Sequence, residues 1–135
     1  MTDAFSEVIA KRAERSQVDF EIEFFESIVR RAPNYIDALR SLAELLTRKG
    51  MHERGLTIDS RLAELLPNDS IVAYNLACSL ALNGRRRDAL ERLWLAVGLG
   101  YCDWQHLESD RDLDSLRSEP AFRKLLAHMR GRKRR

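Results

Sequence analysis

Glycine, proline and cysteine are scarce in these 135 residues: six, three and two. So few turn-formers leave little room for a β-sandwich or barrel, whose many short strands each need a turn. Two cysteines make neither a disulfide framework nor a four-cysteine zinc site. No apolar run approaches the roughly 20 residues of a bilayer-spanning helix. Residues 1–10 include Asp3 and Glu7 and lack the apolar run of a signal peptide. These absences predict a soluble protein in a reducing compartment, by default the cytoplasm, with no membrane partner. What the chain has in quantity is apolar residues, 44%, and charged ones, 33%. That is enough for the core of one domain or one stack of repeats, and it argues against a disordered chain.

The formal net charge is +2, and the basic excess sits at one end. Arg130, Arg132, Lys133, Arg134 and Arg135 crowd the last six residues, leaving 18 basic against 21 acidic residues elsewhere. Such a run predicts a solvated, self-repelling tail over 130–135. A second basic run, Arg85 to Arg87, follows Gly84 and reads as a turn open to solvent.

The scarce turn-formers recur at one interval. Pro33-Asn34 returns as Pro67-Asn68, and Gly50 as Gly84, both 34 residues on. Apolar positions keep the same step: Leu42, Ala43 and Leu46 map onto Leu76, Ala77 and Leu80. Ile22, Leu56 and Leu90 form a triple at that spacing, as do Ile28, Leu62 and Ala96. A step shared by breakers and core residues signals stacked repeats.

Each step holds two helices. Ile36, Leu39, Leu42, Ala43, Leu45 and Leu46 recur at three and four residues, one face of a helix that Gly50 ends. Leu56, Ile58, Leu62, Ala63, Leu65 and Leu66 mark a second helix, which Pro67 stops. Asn68, Asp69 or Ser70 can cap the next. The scheme then repeats from Val72 to Ala81, through Asn83-Gly84, and from Arg87 to Leu99.

The pattern resembles the tetratricopeptide repeat, a helix–turn–helix unit of 34 residues. Segment 70–103 shows Ala73, Leu76, Ala77, Leu80, Gly84, Ala89, Leu93 and Ala96. Segment 36–69 shows Leu39, Leu42, Ala43, Leu46, Gly50, Gly55, Leu62 and Pro67. Leucines replace most of the family's large aromatics, and Asp59 stands where the second-helix aromatic belongs. Segment 2–35 is read as a third copy on Phe5, Val8, Ile9, Phe25, Ile28 and Pro33, with Arg12, Ser16 and Glu21 departing from the pattern. Residues 104–129 read as a helical cap in which Asp110 or Asp112 and then Ser118 start short helices. There Leu113, Leu116, Phe122 and Leu126 would cover Leu93 and Val97, because the last repeat exposes an apolar face. The expected fold is all-α: a right-handed superhelix of about three helix pairs (2–35, 36–69, 70–103), the cap, and the tail 130–135.

The resemblance implies a protein–protein interaction module, an adaptor or assembly factor whose first helices line a concave groove for a partner's peptide or helix. Helical spacing then names Asp37, Arg40, Ser41, Glu44 and Arg48 on one copy, and Ile71, Tyr74, Asn75, Cys78 and Leu82 on the next. An arginine can grip a carboxylate with two parallel N–H bonds. An asparagine can donate to and accept from an extended backbone. The plainer readings are that Tyr74 and Leu82 belong to the core, that Asn75 ties helices together, and that Arg40 and Glu44 form a surface pair. Arg40 and Asn75 fit two places of the family's two-carboxylate clamp, whereas Glu44 stands where an asparagine is wanted.

Little else suggests chemistry. His52, His106 and His128 are far apart, and a metal site needs convergent ligands. Asp110, Asp112 and Asp114 resemble the start of a calcium loop, but Ser115 and Ala121 replace its glycine and its final glutamate. Cys78 reads as buried, and nothing near Cys78, Cys102 or His106 lowers a thiol pKa. No catalysis, metal or cofactor is expected. An alternative is an RNA- or ribosome-associated protein that uses Arg130, Arg132, Lys133, Arg134 and Arg135 on phosphates. No aromatics for base stacking surround them. A homodimer through Phe20, Phe24 and Phe25 competes with their packing in the monomer core.

Overall fold

The computed structural model describes residues 3–133, the side chains of 14–16 and 133 excepted. Among the described residues the regular structure is entirely helical, with no strand. Seven α-helices are α1 (Ala4–Arg31), α2 (Ile36–Lys49), α3 (His52–Leu65), α4 (Ser70–Leu82), α5 (Arg86–Gly98), α6 (Trp104–Ser109) and α7 (Pro120–Lys133). A 3₁₀ helix, Arg111–Leu116, separates the last two. None of these helices is long and apolar enough to cross a membrane.

The breakers act where the sequence places them. Gly50 and Gly84 end α2 and α4 with φ of 81° and 75°, the left-handed conformation that costs other residues a Cβ clash. Asp69 caps α4 by accepting from the N–H groups of Ile71 and Val72 at 2.9 and 3.0 Å. Asp103 does the same for α6 and Asp110 for the 3₁₀ helix. The helices α2 and α4 start at residues 36 and 70, and α3 and α5 at 52 and 86, so both pairs repeat at an offset of 34. Each helix from α1 to α5 packs on its neighbours in chain order.

Helix α4 is apolar over most of its circumference, as a helix packed against several neighbours is. Its residues Val72 to Ala81 are buried except Asn75. Leu107, Leu113, Leu116, Phe122, Leu125 and Met129 from the C-terminal segment join Leu93, Val97 and the α4 residues in one core. Leu113, Leu116 and Phe122 share that core with Leu93 and Val97 of α5, with Leu126 half-buried against it. A smaller core joins Ile22 of α1, with Val18, Phe25 and Val29, to Leu42, Leu45 and Leu46 of α2.

Two regions differ from the sequence expectation. Segment 2–35 is not a helix pair: α1 is one helix of 28 residues. The reason is visible in the chain, which has no glycine or proline before Pro33 and has Ser16 where the later copies carry Gly50 and Gly84. Without a residue suited to positive φ the helix continues. The basic tail is likewise not a free strand from residue 130 onward. Helix α7 runs on through Lys133, and Arg130 stacks 4.8 Å over the Trp104 ring while pairing with Glu108 at 2.6 Å. Arg134 and Arg135 lie outside the described residues.

Candidate functional site

A cleft of about 650 Å³ opens between α2 and the turn that joins α6 to the 3₁₀ helix, with α4 as its floor. Helix α2 contributes Arg40, Glu44 and Arg48 on one wall, and the C-terminal segment contributes His106, Asp110 and Asp112 on the other. From α4 come Ile71, Tyr74, Asn75, Cys78 and Leu82. These α4 residues fall at three- and four-residue steps because a helix shows one face to one cavity.

Eight of the ten groove residues named from the sequence thus meet in one cavity. Asp37 and Ser41 lie outside its lining: Asp37 is exposed, and Ser41 is half-buried. In their place α2 turns Ala43 and Thr47 inward. The cleft follows the side of α2 that leans on α4, about one row of side chains round from the expected face.

The walls differ in charge. On α2, Arg48 pairs with Glu44 at 3.4 Å, and Arg40 reaches Asp69, the cap of α4, at 3.4 Å. The expected Arg40–Glu44 pair gives way to this bridge between helices, since the Asp69 carboxylate is already fixed by its capping bonds. Both arginines keep about half or more of their side-chain surface open. Exposed Asn75 sits beside them on α4.

The opposite wall centres on Asp110. Its Oδ2 accepts from the Tyr74 hydroxyl at 2.5 Å and from the Cys78 thiol at 3.7 Å, and His106 Nε2 lies 3.4 Å away. Its Oδ1 accepts from the Asp112 N–H at 3.0 Å. The Tyr74 ring stacks on Tyr101 with centroids 4.3 Å apart and planes 6° apart. Tyr74 is therefore buried and engaged, a tie between α4 and the cap, as the core reading of that residue held. Leu82 is half-buried at the cleft edge.

Burial and negative charge push the acids here upward. Burial, followed by the charge of Cys78 and the bond to Asp110, raises the Tyr74 hydroxyl far above its ordinary value. Burial, then the Asp110 carboxylate, raises the Cys78 thiol well out of the physiological range, so it is protonated at neutral pH. Burial raises Tyr101 to about 12. Asp112 is raised by burial and then by Asp110, with His52 acting in the opposite direction.

Cys78 Sγ and carboxylate oxygens of Asp110 and Asp112 lie within 4.8 Å of one another, the one such grouping among the described residues. Both Asp110 oxygens already accept hydrogen bonds, so a cation entering there would have to displace the Tyr74 proton. This is a hydrogen-bonded seam between α4 and the cap. On the cleft floor the Ser79 hydroxyl donates to buried Asp59.

No family model and no curated protein matches this chain.

Besides Ala43 and Thr47, the cleft residues that sequence reasoning missed are Asp59, Leu62, Val72, Ser79, His106, Asp110 and Asp112. Asp59 stood out only as a carboxylate where an aromatic belongs. The other signal was the four-residue step from His106 to Asp110, and no repeat period relates the cap to α4. Of the tail residues of the RNA-binding alternative, Arg130 and Arg132 are not in the cleft lining, and Arg134 and Arg135 lie outside the described residues.

Proposed function

We propose that the chain is a protein–protein interaction module of the tetratricopeptide type, whose cleft takes an extended segment of a partner protein. Two helix pairs at an offset of 34, each turning on a left-handed glycine, support the repeat reading, and the resemblance adds a right-handed stacking of the pairs. The observation that carries the binding reading is that Arg40, Glu44, Arg48, Ile71, Asn75 and Leu82, named from the resemblance and helical spacing, line one cleft.

The chemistry of the walls describes the partner. Arg40 and Arg48 favour carboxylates on the α2 side. Asp110 and Asp112 favour a basic or hydroxyl-bearing residue on the cap side. Asn75 between them is placed to hold a backbone amide. The reading is one of binding; burial holds the Cys78 thiol protonated at neutral pH, which counts against that group as a nucleophile. Arg130 is engaged by Glu108 and Trp104, which counts against the C-terminal basic run as a phosphate-binding strip.

Affinity capture from native lysate with mass spectrometry tests this. Arg48→Glu combined with Asn75→Ala changes only exposed side chains, so the variant keeps the wild-type circular dichroism. It is expected to lose the captured partner, while removal of residues 130–135 keeps it. Capture unchanged by the double variant, or lost with the tail, would refute the cleft.

A further inference from the structure

Helix α1 is longer than the body it packs on. Its 28 residues span about 42 Å at 1.5 Å per residue. The face bearing Val18, Ile22, Phe25 and Val29 lies against α2, all within the second half of the helix. From Ala4 to Ala13 every residue is exposed.

A second apolar row runs along the other side. Phe5, Ile9, Ala13, Phe20 and Phe24 fall within a sector of about 100°, centred roughly opposite the packed row, at 100° per residue. Phe5, Ile9, Phe20 and Phe24 are 72%, 53%, 64% and 52% exposed. With a phenylalanine worth about 150–250 Å², this row offers roughly 400–500 Å² of apolar surface. That is over half of the ~800 Å² each partner gives to a standard interface. It lies at the end of the helix stack that α6, the 3₁₀ helix and α7 do not reach.

The row is its own complement. When two copies cross antiparallel about a two-fold axis near residues 14–15, Phe5 of one meets Phe24 of the other, and Ile9 meets Phe20. Small Ala13 then falls near the axis, where two helices approach most closely. Charge selects the same direction. Residues 4–16 carry three basic side chains against two acidic, whereas residues 17–28 carry Asp19, Glu21, Glu23 and Glu26 and no base. Antiparallel pairing sets the basic half on the acidic half; parallel pairing sets four acids against four.

We propose that this face of α1 is where a second copy of the chain docks, as an antiparallel α1–α1 pair. The contact is isologous, so it closes at two copies. It is separate from the cleft, which lies across α2 from it.

Sedimentation equilibrium of the full chain is the first test, and a mass twice 15.6 kDa is expected. Ile9→Asp with Phe20→Asp should weaken association by roughly tenfold or more, as loss of buried anchors does. Both residues are exposed in the single copy, so helicity is expected to persist. In a Cys102→Ser background, Phe5→Cys chains mixed with Phe24→Cys chains should form an inter-chain disulfide, and Phe5→Cys chains alone should not. A monomeric wild type at every concentration overturns the proposal. So does dimerisation indifferent to the Ile9/Phe20 variant, or disulfides between Phe5→Cys chains alone, which would mean parallel pairing.

Discussion

Asp59 is the residue whose place in the fold is hardest to expect. It is buried on α3, and its carboxylate accepts from the Ser79 hydroxyl of α4. Burial raises its pKa from 3.8 to about 6, against the opposing effect of the Ser79 bond. Between those two values the unfolded chain releases a proton that the folded chain keeps. The folded state then binds more protons, so stability from this group falls as pH rises through the window and stays low above it. The loss is on the order of 3 kcal/mol at 1.36 kcal/mol per pH unit. Asp59→Asn keeps an acceptor for Ser79 and removes the ionisation. Thermal unfolding followed from pH 3.8 to pH 7 should show the wild type losing stability and the variant holding steadier and ending the more stable of the two. Parallel curves would mean that Asp59 titrates alike in the folded and unfolded chains. The sequence marked this position only as a departure from the repeat. Its partner stands 20 residues away on another helix, and no local pattern links a buried carboxylate to a serine across a helix–helix contact.

The elements themselves were legible wherever the backbone must do something only glycine or proline allows. Gly50 and Gly84 have positive φ, and α1 and α3 stop just short of Pro33 and Pro67, so the breakers report turns directly. The first copy was misread because apolar spacing was carried back past the last breaker. Spacing alone does not distinguish one long helix from two short ones, whereas the missing glycine does. The 3₁₀ helix and the course of α7 follow from how the cap meets α4 and α5, which no period encodes. The strength of a breaker can be measured. A Cβ built on Gly84 meets nothing within 4 Å, so Gly84→Ala carries no steric term. Its cost is the left-handed backbone alone, about 1–2 kcal/mol. Chemical denaturation should show that loss with an unchanged dependence on denaturant. A markedly larger loss would show that the α4–α5 turn depends on more than this φ.

On the scale of the molecule, the two ends of the helix stack are finished differently. The C-terminal end is closed within the chain, where the cap buries Leu93 and Val97 and also supplies Asp110 and Asp112 to the cleft. Closure of that end and construction of the cleft's second wall are one event, tied by the Tyr74–Asp110 bond. Among the described residues the N-terminal end has no such cover: Ala4 to Ala13 are helical with every side chain exposed. A helical stretch of that length is marginal by itself in water, so in a single copy its amides open at little cost. Pairing of α1 with a second copy adds the free energy of association to that opening. Hydrogen exchange over residues 4–13 should therefore slow as chain concentration rises, while exchange in buried α4 stays the same. Ile9→Asp with Phe20→Asp should remove the concentration dependence and leave α4 protected. Exchange over residues 4–13 that is equally slow in dilute and concentrated wild type would show that the exposed half of α1 is stable without a partner, and the apolar row would then play no part in holding it.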